Sequence, residues 1–120
     1  MPTVTVTADT FDEILAKRDI VLLDFFADWC GPCHTFAPIY EQAATKHSDL
    51  LFGKVDADVE PQLTAAFQIR SIPTLAILRD GMLVFSQPGV LPAEALDDLI
   101  SQVRNLDMDE VHAKLAAQTA

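Results

Sequence analysis

Apolar and polar positions alternate between two periods along this chain, and the alternation of the periods predicts its architecture. Val4 and Val6 alternate with threonines, which predicts a short, half-buried strand. Phe11, Ile14 and Leu15 fall at helical spacing, and Asp9 or Thr10 can cap a helix running to about Lys17, with Glu13 completing a capping box. Ile20-Val21-Leu22-Leu23-Asp24-Phe25-Phe26 is almost solidly apolar, as a central strand covered on both faces requires. A helix follows from the Cys30 region to about Lys46, with Pro38 expected to kink it by removing a backbone N–H. Residues 50–56 form the next strand, and Glu60 to Phe67 a short helix opened by Pro61. Residues 75–78 and 82–85 flank Arg79-Asp80-Gly81, a hairpin in which glycine supplies a positive φ. Leu96, Leu99, Ile100 and Val103 mark the apolar face of a helix from about Pro92 to Arg104. Asn105 interrupts it, and Asp107 or Asp109 can cap a last helix carrying Val111 and Leu115. Strands alternating with helices, then a hairpin and a closing helix, predict an α/β fold with a mixed central sheet flanked by helices.

The length of 120 residues suits one domain, and half the residues are hydrophobic, enough for a continuous core. The formal net charge of -10 repels phosphate backbones and anionic bilayers, so nucleic acid and membrane are not the expected partners. The N-terminus has no basic and apolar signal pattern, and no apolar run nears the roughly 18 residues of a membrane span. A cytoplasmic, reducing compartment is the expectation.

The chemistry concentrates in the only two cysteines, Cys30 and Cys33. Cys30-Gly31-Pro32-Cys33 lies between a buried strand and a helix. There the unpaired N–H groups and the macrodipole favour negative charge on Cys30, and the thiolate is the nucleophile. Pro32 suits the first helical turn. Cys33, one turn in, is expected to be the more buried, resolving thiol. Three rivals are weaker. A purely structural cysteine pair leaves the strand–turn–helix placement unexplained. A zinc site needs about four ligands, and His34, His47 and His112 stand at no ligand spacing. No metal ligand is therefore assigned. The run through His34 matches a haem-attachment pattern, but the flanking strands and missing export signal speak against it.

Trp29-Cys30-Gly31-Pro32-Cys33 after Val21 to Ala27, with Lys54-Val55-Asp56, Ile69-Arg70-Ser71-Ile72-Pro73-Thr74 and Asp80-Gly81, resembles the thioredoxin family over roughly residues 4 to 104. The resemblance implies a thioredoxin-like domain over residues 1–105, with residues 106–120 as an extra helical extension. It implies a protein thiol–disulfide oxidoreductase acting as a disulfide reductase. Cys30 would attack a partner's disulfide and Cys33 would resolve the mixed disulfide. Pro73 would be a cis-proline beside the site, Asp24 the buried acid and Lys54 its partner. Trp29, Gly31, Pro32, Ile72, Gly89 and Val90 would form the docking surface, with Ile72 pairing through its backbone. No bound cofactor is implied: a flavin- and NADPH-dependent thioredoxin reductase would supply electrons, protein disulfides would be the substrates, and the protein would act as a monomer. The alternative is a redox-inactive or weakly active binding or holdase module of the same fold. Two departures from the family pattern bear on the site: Phe26 stands where a tryptophan is usual, and His34 where a Lys or Arg is usual.

Overall fold

The computed structural model describes residues 2–119. Five strands form one mixed sheet in the order β1-β3-β2-β4-β5, comprising β1 (Thr3–Thr5), β2 (Ile20–Phe26), β3 (Leu51–Asp56), β4 (Thr74–Arg79) and β5 (Met82–Pro88). β2 lies at the centre, parallel to β3 and antiparallel to β4. The helices are α1 (Phe11–Leu15), α2 (Gly31–Lys46), α3 (Pro61–Ala66), α4 (Ala93–Arg104) and α5 (Met108–Thr119).

Because side chains alternate along β2, its two faces serve two cores. Ile20 and Leu22 pack with Phe36, Tyr40, Leu96 and Ile100 from α2 and α4. Val21, Leu23 and Phe25 pack with Ile14 and Leu63 from α1 and α3. Asp24 occupies the first of these faces, in sequence with Leu22 and Phe26. That arrangement places a carboxylate inside an apolar layer. Gly53 of β3 is required by contact: a Cβ there would come within 2.6 Å of Val6 and 2.9 Å of Leu23. The Tyr40 hydroxyl crosses from α2 to donate to the Gly53 carbonyl at 2.7 Å.

The β4–β5 turn consists of Asp80 and Gly81, with φ of 53° and 79°, the backbone that a tight two-residue hairpin demands. β5 runs to Pro88, three residues beyond the expected end, pairing with β4 as far as Thr74. α1 is shorter than expected and has no capping box. The Thr10 hydroxyl is engaged by Thr7, accepting its N–H at 3.0 Å, and so leaves the helix N–H groups alone. α2 continues unbroken through Pro38. At the C-terminal end, Arg79 donates to the carbonyls of Val103 and Leu106, both at 2.8 Å, placing a cation where the α4 dipole is negative. Asp107 caps α5 through Oδ1, which accepts the Asp109 and Glu110 N–H groups. Val111 and Leu115 then line an apolar cleft with Leu83 and Val84 of β5.

Candidate active site

The site is assembled where β2 ends and α2 begins. Cys30 caps α2 with extended backbone, and its Sγ accepts the Cys33 N–H at 3.2 Å. One orphan donor of the helix start is thus spent on sulfur, an arrangement that stabilises a thiolate there. Cys30 and Cys33 form a disulfide, with Cα atoms 5.3 Å apart. The expected contrast in their burial is not found: both are 4% exposed. In the disulfide the two residues are distinguished by position, Cys30 capping α2 and Cys33 within its first turn. Gly31 and Pro32, between them, are exposed.

The Ile72–Pro73 peptide is cis, and the Ile72 carbonyl oxygen lies 3.7 Å from Cys30 Sγ. Ile72 and Phe26 pack against the buried cluster formed by Ala27 and the two cysteines. Gly89, at φ 105°, donates its N–H to the Pro73 carbonyl at 2.8 Å, which draws the end of β5 to the proline loop. Val90 follows it, exposed. Trp29 is 73% exposed and therefore no core residue. Its indole N–H donates to Asp58 at 2.8 Å, so the ring is fixed yet presented to solvent. A groove runs from Trp29 past Ile69, Arg70 and Ser71 to Ile72. The Asp58 contact was missed in sequence reasoning because it joins positions 29 apart. Its one signal was an acid two residues past the end of β3.

Asp24 is fully buried, and neither carboxylate oxygen has a hydrogen-bond partner among the described residues. Burial pushes its pKa up to about 7, against a smaller opposing pull from Lys54. Among the described residues the expected ion pair between Lys54 and Asp24 does not form, and Lys54 acts on the carboxylate only at a distance. Lys54 does stand beside Asp24 in the β2–β3 register, but its ammonium rests over the Phe26 ring, 4.7 Å from the centroid. A half-buried lysine keeps access to water by that route, whereas reaching Asp24 would strip its hydration. Tyr40, from α2, also feels Asp24, and its phenol is pushed well above its ordinary pKa, chiefly by burial. His34 bonds the Asp28 carbonyl at 2.6 Å, joining the first turn of α2 to the preceding loop. Among the described residues no group of His, Cys, Asp or Glu could hold a metal ion.

The Thioredoxin family model matches residues 2–102. The chain belongs to the thioredoxin family. It is 52% identical over 118 residues to a putative thioredoxin 2 of Streptomyces coelicolor, covering 98% of this chain and 88% of that one. It is 40% identical to a thioredoxin of Mycobacterium tuberculosis, covering 88% and 93%. Among solved structures, a thioredoxin mutant of Halobacterium salinarum superposes with a TM-score of 0.80 at 36% identity, covering 88% of this chain and 94% of its own. Within this thioredoxin fold the Cys30–Cys33 pair is the redox centre, and the chain is a thiol–disulfide oxidoreductase of the protein-disulfide reductase type.

Proposed function

We propose that the protein reduces disulfides of other proteins in the cytoplasm, as a monomer, and is recycled by a flavin- and NADPH-dependent thioredoxin reductase. The Cys30 thiolate attacks one sulfur of the substrate disulfide, forming a mixed disulfide and releasing the other sulfur as a thiolate. Cys33, giving up its proton, then attacks the Cys30 sulfur, and the second substrate thiolate leaves. Two electrons have passed to the substrate, and Cys30–Cys33 is oxidised until the reductase returns two. The observation that carries this reading is the Cys33 N–H donated to Cys30 Sγ at the start of α2. It favours the thiolate on Cys30, whose sulfur also faces the Ile72 carbonyl where a substrate strand would align.

Asp24 is the proton acceptor for Cys33 in this reading, because an acid poised near neutrality can take a proton and return it. Lys54 sets the local field, and Pro73 shapes the substrate strand's seat. Trp29, Gly31, Pro32, Ile72, Gly89 and Val90 form the docking surface, whose contacts are largely apolar and main-chain. Residues 1–105 are the working domain, and residues 106–120 are an extension outside the site.

Insulin reduction regenerated by a thioredoxin reductase and NADPH tests the activity. Turnover is expected, and client binding without turnover would favour a holdase. Cys33→Ser should accumulate a covalent mixed disulfide with substrate, whereas Cys30→Ser should trap none. Equal trapping by both variants would overturn the assignment of roles.

A further inference from the structure

Phe26, at a departure from the family pattern, lies between the cluster that holds the cysteines and the charge beside Asp24. On one side it packs against the buried cluster of Ala27, Cys30 and Cys33. On the other, the Lys54 ammonium sits over its ring. Lys54 is level with Asp24 on the neighbouring strand, and Phe26 is two residues further along β2 on the same face. The lysine stem therefore has two directions open to it: back to the carboxylate, or forward to the ring and the solvent at the strand ends. The structure takes the second, and both Asp24 oxygens are left without a hydrogen-bond partner among the described residues.

We propose that Phe26 is a positioning residue whose ring holds the Lys54 ammonium at the mouth of the site and away from the Asp24 carboxylate. An aromatic face attracts a cation without demanding its full desolvation, so the ring competes with a buried carboxylate that would demand it. The consequence concerns the form in which Asp24 rests. With the cation parked outside, burial dominates and the acid is proton-bearing up to near neutrality; with the cation inside, it would be ionised well below that. Among the described residues, the other groups around Asp24 do not supply an alternative counter-charge. Tyr40 from α2 is a neutral phenol, Leu75 faces it from β4, and the cysteines are uncharged in the disulfide. The proposal rests on the proton-acceptor role given to Asp24 only for its importance to turnover, not for its geometry.

The test follows the Asp24 carboxyl by carbon-13 NMR across a pH titration of the oxidised protein, with no substrate present. Phe26→Leu should lower the midpoint by about one pH unit, since it frees the ammonium to turn inward. Phe26→Trp, which keeps an aromatic face, should leave the midpoint near that of the unaltered protein. Lys54→Met should raise it, and adding Phe26→Leu to Lys54→Met should then change nothing. A midpoint unmoved by Phe26→Leu would overturn the proposal. So would a drop that persists in the Lys54→Met background, which would mean that water and not the lysine had entered. Asp24→Asn with unaltered turnover would remove the acceptor role while leaving this titration result intact, so the two readings fail separately.

Discussion

The two ends of α2 treat charge in opposite ways. At the C-terminal end, the charged groups Lys46, His47, Asp49, Asp97 and Arg104 are paired near the surface. Asp97 accepts from Lys46 at 2.7 Å and from His47 at 3.0 Å, while Arg104 holds both oxygens of Asp49 at 2.7 and 3.0 Å. These pairs tie α2 and the loop after it to α4. In β2, the strand that leads into the N-terminal end of α2, a carboxylate lies deeper, fully buried and with no hydrogen-bond partner among the described residues. The pKa shifts follow the same division: hydrogen bonds from Arg104 draw Asp49 down to about 2, whereas burial drives Asp24 up to about 7. Exposed and paired acids serve assembly at little cost. The buried, unpaired one opposes folding, and such a group persists where its chemistry is used.

The largest stability effect that sharpens this contrast belongs to Asp24. Its folded pKa of about 7 stands above the ordinary 3.8, so the folded state resists ionisation that the unfolded state accepts. The acid carries no penalty below about pH 4, loses the fold stability as pH rises towards 7, and levels off above that. Asp24→Ala should therefore unfold at higher denaturant concentration at pH 8, by roughly 2–4 kcal/mol, with the gain vanishing near pH 4. Denaturant titrations at both values check it. A pH-independent gain would mean that cavity and packing terms, and not the charge, set the difference. The same variant should slow insulin reduction.

That Asp24 is buried could be read from its place inside Leu-Leu-Asp-Phe-Phe, and the CxxC turn from the strand and helix around it. Strand periodicity assigns a side chain to a face, but not the direction in which a four-carbon stem leans. The Lys54 ammonium was accordingly expected on Asp24 and is found on Phe26. Long-range polar contacts escaped for a related reason. Neither Trp29 with Asp58 nor Tyr40 with the Gly53 carbonyl leaves a local pattern. In α1 the capping signal was present, but two threonines three apart satisfy each other instead.

A smaller effect is expected at the far edge of the sheet. Leu115 is 41% exposed and Val111 half-buried, so their cleft against Leu83 and Val84 removes only part of their surface from water. Deleting residues 106–120 should lower Tm by roughly 4–10 °C, the equivalent of one or two kcal/mol in a domain this size. Insulin reduction should stay within twofold. Loss of activity with the fold intact by circular dichroism would place the tail in the site.

The smallest effect should come from Asp49, and it tests the other half of the contrast. Its side chain is 63% exposed and its partner Arg104 35%, so the pair is screened and both groups are well hydrated when apart. Arg104 also reaches His47 Nδ1 at 3.3 Å and so keeps one anchor between α4 and the end of α2 without Asp49. The depressed pKa means that whatever stability the pair adds is present above about pH 4 and lost as pH falls towards 2. Asp49→Asn should shift Tm by less than about 2 °C at neutral pH, and by nothing measurable in about 0.5 M salt. A drop as large as that from removing the tail, persisting in salt, would show that the exposed pairs hold α2 against α4. In that case the surface network would matter to the seating of the whole active-site helix, and the two ends of α2 would not be separable.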